Sequence, residues 1–191
     1  MTIVHLMRHG ETVWNAEGKL QGQTDIPLSD TGKAQVKAQS AAVVKEDVHV
    51  VSSDLLRTQE TARLLGFDQF AVDARLREIN VGAWEGRLTR QIIAECGPHY
   101  QDWRFGRFTP LGGEIWVDFC LRTEAALTEH AHTADKKGKE LLLVCHGGVI
   151  RSILAHVLAL PVDRFHPVKP ASKTTIILAE SARLLTYNWL A

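Results

Sequence analysis

Apolar and polar positions alternate along this chain on two different periods. Short runs of apolar residues occur at 3–7, 48–52 and 141–145, and each hands over to polar residues with reactive side chains. Runs this short, bounded by polar clusters, read as strands. The run at 141–145 is uniformly apolar, as a strand covered on both faces should be. Residues 70–72 add a minor strand, and 174–179 with 184–189 read as a closing hairpin. Stretches of helical spacing lie between. Ser29 is placed to cap a helix reaching about Val44, and Asp54 to cap one over 55–65 that Gly66 ends. Residues 87–108 hold one or two short helices joined at Gly97-Pro98. Gly112-Gly113 breaks this segment off, and a longer helix follows from Glu114 to about His130. Residues 133–140 read as a solvated polar loop. His146-Gly147-Gly148 opens a last helix reaching Leu160, closed by Pro161.

Strands alternating with helices predict an α/β fold, a three-layer α/β/α sandwich around a mainly parallel central sheet. No repeat, low-complexity tract or shift in composition divides the chain. Residues 1–191 therefore read as one domain, with a cap-like helical segment at about 87–116.

Charge and cysteine content exclude several classes. The 22 basic and 22 acidic residues cancel, which argues against a nucleic-acid partner. Cys96, Cys120 and Cys145 are widely spaced and form neither a disulfide framework nor a Cys-x-x-Cys metal motif, as in a reducing compartment. No apolar run approaches the roughly 20 residues that span a bilayer. The first run is too short, and too soon charged, for a signal peptide. A cytoplasmic protein with no membrane partner is expected. A homodimer is compatible with the chain but not marked in it.

The chemistry sits where the three main apolar runs end. Arg8-His9-Gly10 follows the first, Ser52-Ser53-Asp54 with Arg57 follows the second, and His146-Gly147-Gly148 follows the third. In a parallel sheet these ends meet at one edge, where open α/β folds bind ligands. Helix N-termini there add backbone N–H groups and a dipole that favours an anion. Two guanidiniums and two imidazoles around one point suit a phosphoryl group. Singly, each has a blander explanation: a structural histidine, or an arginine on a solvated helix face. Their convergence is what lifts them. For a proton donor, residues 75–86 offer Glu78 and Glu85 beside Trp84 and flanking glycines. Spacing alone does not choose between the two, nor separate either from an ordinary surface carboxylate. No carboxylate cluster suited to Mg²⁺ stands out. Among the aromatics of residues 97–116, Arg104 or Arg107 is placed to reach a second anionic group on a substrate.

With these residues in view, the chain resembles the histidine phosphatase superfamily, also called the phosphoglycerate mutase-like family. The run Leu6-Met7-Arg8-His9-Gly10-Glu11-Thr12 with Asn15 looks like its signature. Residues 52–62, Leu76-Arg77-Glu78 with 82–86, Gly112-Gly113-Glu114, and 146–151 resemble its further blocks, in the family's order. The resemblance implies a phosphoglycerate mutase-like fold and a phosphohistidine formed at His9. It implies that Arg8, Arg57 and His146 hold the phosphate oxygens, with Gly147 beside them, and that Asn15, Gln21 and Gly22 lie at the pocket edge. Glu78 would protonate the leaving oxygen and then activate water. Neither a metal nor another cofactor is implied, and the substrate would be a small phosphorylated metabolite.

Three other readings compete. A cofactor-dependent phosphoglycerate mutase shares the core, but the chain is short after Glu78 and ends soon after its last strand, so water should reach the phosphohistidine. Cys145 with Arg151 fits the Cys-x-x-Gly-x-x-Arg loop of cysteine-dependent phosphatases, yet that leaves residues 8–10 and 52–62 without a purpose. A binding module without turnover should have lost His9 or Glu78, and both are present.

Overall fold

The computed structural model describes residues 1–43 and 46–191. Its strands are β1 (Thr2–Arg8), β2 (Val48–Ser52), β3 (Ala71–Val72), β4 (Glu140–Cys145), β5 (Lys173–Leu178) and β6 (Arg183–Trp189). They form one sheet in the order β3-β2-β4-β1-β5-β6. The β3-β2-β4-β1 part is parallel, while β5 and β6 return antiparallel at the far edge. The expected closing hairpin is therefore the antiparallel end of a mainly parallel sheet.

Period-two alternation sorts the side chains onto two faces. Leu141, Leu143 and Cys145 join Val4, Leu6 and Val51 in one buried cluster, while Leu142, Val144, Met7 and Val50 join the other. The first cluster is covered by α6 (Trp116–Lys136) and α7 (Gly147–Val157) through residues such as Phe119, Leu127, Ile150 and Ile153. The second is covered by α2 (Asp30–Gln39) and α3 (Leu56–Leu64) through Val36 and Ala62. Three layers result. A one-turn α1 (Val13–Ala16) follows β1, and α4 (Thr89–Cys96) and α5 (Pro98–Arg104) build the segment between β3 and α6.

Several boundaries differ from the sequence reading. Ser29 does cap α2, its Oγ accepting from Gly32 N at 3.0 Å. The α-helix stops at Gln39 and a 3₁₀ turn carries on to Ala42; Val44 lies outside the described residues. Asp54 does not cap α3. Its carboxylate is taken up by Arg77, with Nε at 2.8 Å and Nη2 at 2.5 Å, and the N–H of Leu56 instead finds Asp25 Oδ1 at 2.6 Å. Helix α6 runs to Lys136, well past His130: Ala131 and Ala134 continue its buried face, while exposed His132 and Asp135 make the same turns read as a loop in sequence. Helix α7 ends at Val157, short of Leu160.

The register aligns the strand ends that matter. Arg8 lies beside Cys145 and Ser52 beside Val144. The ladder continues one step further, with His9 N donating to Cys145 O and Ser53 N to Val144 O, both at 3.0 Å. On its other side His9 O accepts from Ala171 N at 3.0 Å, just ahead of β5. The backbone of His9 is thus pinned from both neighbours.

Candidate active site

The His9 ring hangs over the carboxyl edge of the sheet, almost fully buried. Its Nδ1 lies 2.7 Å from Gly10 O, which can only accept, so the ring proton belongs on Nδ1 and Nε2 keeps its lone pair. Burial, then Arg57 and Arg8, push this imidazole well below its ordinary value, so the ring stays neutral and nucleophilic. Gly10 allows the close approach of the next layer: a Cβ there would meet Gly32 O at 2.6 Å.

His146 faces His9 edge-on, with ring centroids 5.2 Å apart. Its Nδ1 accepts from Arg57 Nε at 3.3 Å, and its Nε2 is buried with no partner. Burial and then Arg57 hold this ring well below its ordinary value too. A neutral ring that accepts at Nδ1 carries its proton on Nε2, so His146 offers a donor where His9 offers a lone pair.

Arg57 is fully buried, and burial lowers its pKa to about 10. Its Nη1 and Nη2 donate to Thr24 O at 2.9 Å and Gly22 O at 2.6 Å. Arg8 donates through Nη1 to Val168 O, while its Nε is buried and unpartnered. Burial also lowers the Arg8 pKa, an effect opposed by Glu78. Gln21 accepts from Thr12 Oγ1 at 2.8 Å and leaves Nε2 without a partner. Asn15 Oδ1 accepts from Thr12 N at 3.2 Å in a capping box at α1. One pocket is lined by Arg8, His9, Asn15, Gln21, Arg57, Glu78 and Gly147. Arg8 Nε and Gln21 Nε2 are thus two unpartnered donors in its lining, with His146 Nε2 a third buried outside it, a distribution suited to an anion.

Glu78 reaches the same pocket from the segment after β3. Its Oε1 accepts from Ile79 N at 2.9 Å and its Oε2 from Gly148 N at 2.9 Å, in the first turn of α7. Glycine at 148 leaves room for this carboxylate, since a Cβ there would meet Glu78 Oε1 at 2.1 Å and displace it. The segment is held by two ion pairs, Arg77 on Asp54 and Arg122 on Glu114, the latter with Nε at 2.6 Å. Arg122 also donates to the carbonyls of Arg75, Arg77 and Glu78. The Gly112-Gly113-Glu114 block therefore serves the site at one remove, by framing the Glu78 segment.

The expected residues do not all stand in the pocket. Neither Gly22 nor His146 is among the lining residues: His146 is fully buried beside His9, and the N–H of Gly22 goes to Glu85 and its carbonyl to Arg57. Glu85, the other candidate donor, also lies outside. Arg107 pairs with Asp102 at 3.2 Å and lies over the Phe105 ring, outside the pocket, whereas Arg104 lines it. Cys145 sits in the core cluster, fully buried, and burial pushes its thiol up, which leaves the cysteine-phosphatase loop without a nucleophile. Its proposed partner Arg151 does line the pocket, a position the histidine reading had not assigned. Four residues after Gly147, Arg151 shares that residue's face of α7. It donates to Arg104 O at 2.7 Å and Val162 O at 3.2 Å, its Nε is buried without a partner, and burial, then Arg104, lowers its pKa to about 10. Trp103, also lining the pocket, has an unpartnered buried Nε1 and packs edge-on to Trp84 at 5.8 Å.

Among the described residues no group of three or more His, Cys, Asp or Glu is arranged to hold a metal ion, and no helix is long and apolar enough to cross a membrane.

Comparison with known proteins agrees with this geometry. A family model described as the histidine phosphatase superfamily (branch 1) matches residues 4–189. The chain is 36% identical over 168 residues to glucosyl-3-phosphoglycerate phosphatase of Mycobacterium tuberculosis, covering 82% of this chain and 75% of that one. It is also 36% identical over 172 residues to a probable phosphoglycerate mutase of Yersinia pestis, covering 84% and 77%. Among solved structures, a mycobacterial glucosyl-3-phosphoglycerate phosphatase in complex with VO3 superposes with a TM-score of 0.86 at 32% identity, over 98% of this chain and 99% of that one. The chain belongs to the histidine phosphatase superfamily, branch 1, and is a phosphoric monoester hydrolase of that family.

Proposed function

We propose that this protein hydrolyses a small phosphorylated sugar metabolite in two steps through a phosphohistidine at His9. In the first step His9 Nε2 attacks phosphorus, the P–O bond to the leaving group breaks, and Glu78 gives its proton to the departing oxygen. In the second, Glu78 takes a proton from water, the resulting hydroxide displaces His9 from phosphorus, and inorganic phosphate leaves. Arg8, Arg57, His146 Nε2–H and the N–H of Gly147 stabilise the three spread-out oxygens, while Asn15 and Gln21 border them and Gly22 acts through Arg57. Phosphoryl transfer asks mainly for such positioning and charge stabilisation.

The observation that carries this reading is the pairing of His9 and His146: two neutral rings 5.2 Å apart, one lining the pocket with a lone pair on Nε2 and the other buried beside it with a proton on Nε2. The substrate class follows from the relatives named for glucosyl-3-phosphoglycerate and from the far end of the pocket. There Arg104, the unpartnered Arg151 Nε and the unpartnered Trp103 Nε1 suit a further anionic or hydroxyl-rich part of the substrate. A cytoplasmic, one-domain enzyme that needs no metal goes with this reading.

The test is a phosphate-release screen over sugar phosphates, phosphoglycerate derivatives and nucleoside phosphates, with His9→Ala as the blank. Release from sugar-bearing esters, abolished in the variant, is the expected result. Efficient isomerisation of 3-phosphoglycerate in the presence of bisphosphoglycerate, with little phosphate released, would instead assign a mutase.

A further inference from the structure

Glu85 lies outside the pocket, yet the most closely fitted part of the site runs back to it. Its Oε1 accepts from Gly22 N at 2.9 Å and Thr24 N at 3.3 Å, and its Oε2 from Gln23 N at 3.2 Å. One carboxylate thus gathers three successive backbone N–H groups. The carbonyls of that same loop, Gly22 O and Thr24 O, are the ones that grip Arg57 Nη2 and Nη1. With one N–H of each Nη held, the guanidinium is oriented so that its Nε–H meets His146 Nδ1 at 3.3 Å, and one N–H on each Nη remains. A guanidinium can only donate, so this contact excludes a proton on Nδ1. Without it, only the modest intrinsic preference of a neutral histidine ring separates the two tautomers.

We propose that Glu85 is a positioning residue for the reaction: through loop 22–24 and Arg57 it holds His146 in the tautomer that presents Nε2–H to the phosphoryl group. The chain of contacts is continuous from carboxylate to ring, and Glu85 stays clear of the substrate. Its catalytic consequence rests on the proposed phosphatase reading, but the tautomer does not. Loss of Glu85 need not unfold the loop, because Asp25, next in sequence, remains tied to the start of α3 through Leu56 N at 2.6 Å.

The experiment compares wild type with Glu85→Ala and Glu85→Gln. The readouts are two-bond ¹H–¹⁵N correlation of the His146 ring, kcat and KM on a hydrolysed ester, and thermal melting. In the wild type the ring nitrogens should report a single Nε2–H form. Glu85→Ala should give a tautomer mixture and a kcat lowered by about ten- to a hundredfold, the scale of a weakened oxyanion donor. Glu85→Gln, which keeps an acceptor oxygen, should restore much of both. A lowered melting temperature with the Nε2–H form intact would make Glu85 a mere brace for the loop and overturn the proposal. Should no ester be turned over even by the wild type, the phosphatase reading fails, while the ring spectrum still decides the relay.

Discussion

The two ends of the pocket are built differently. At the His9 end most side chains are fixed by backbone groups, Arg57 by Gly22 O and Thr24 O, His9 by Gly10 O, and Glu78 by the N–H groups of Ile79 and Gly148, while His146 rests on Arg57. At the far end the fixing is ring against ring, with Trp84 packed on Tyr100, Trp103 and Phe108 at 6.2, 5.8 and 5.6 Å. Backbone hydrogen bonds set a position to a few tenths of an ångström, whereas apolar rings can be repacked at modest cost. Such a pocket holds its chemistry constant and leaves its specificity open to change. Arg151 joins the two ends, rising from the helix that opens beside His146 and donating to the carbonyl of Arg104.

Substitutions can break that contrast, and their effects should be graded. His9→Ala removes the proposed phosphoryl acceptor, so kcat on every ester should fall by on the order of 10⁴-fold or more. A variant retaining a tenth of wild-type turnover would place the nucleophile elsewhere. Glu78→Gln keeps the shape but not the proton, and should cost about 10²–10⁴-fold on alkyl phosphates. On p-nitrophenyl phosphate, whose leaving group needs no proton, the loss in the phosphorylation step should be much smaller; equal losses would remove Glu78 from the role of acid. At the far end, Arg151→Gln should change selectivity, lowering kcat/KM on sugar-bearing esters relative to p-nitrophenyl phosphate by about tenfold, the worth of one charge-assisted hydrogen bond. An unchanged ratio would detach Arg151 from substrate recognition.

The smallest effect is one of stability. His9 and His146 both lie well below the ordinary imidazole value of 6.5 in the folded state. Below that pH the unfolded chain therefore binds protons that the folded one refuses. The stability this carries is present above about pH 6.5 and is lost as the pH falls. Melting temperature should decline from pH 7.5 to 5, less steeply in His146→Gln than in the wild type. Parallel slopes would mean that His146 is not held neutral.

The sheet edge was legible in the sequence because apolar runs that end in Arg8-His9, Ser52-Ser53 and His146 are local signals, and parallel pairing brings their ends together. Choices that depend on tertiary contacts were not. Glu78 and Glu85 sit in equivalent surroundings along the chain, and only the fold sends one into the pocket and the other to loop 22–24. Asp54 reads as a cap by its place before a helix, but Arg77, brought alongside from the far side of β3, offers a two-pronged partner that a cap cannot match. Arg151 carries a signal of its own in the sequence: four residues after Gly147, it shares that residue's side of α7.

The most direct test of the two-step chemistry is a rapid acid-quench-and-neutralise trap with a ³²P-labelled ester, followed by peptide mapping. Label should appear on the peptide bearing His9, be labile to acid and stable to base, and form at least as fast as turnover. Label on another residue, or turnover with no labelled protein at any time and inversion at phosphorus, would contradict a phosphohistidine at His9.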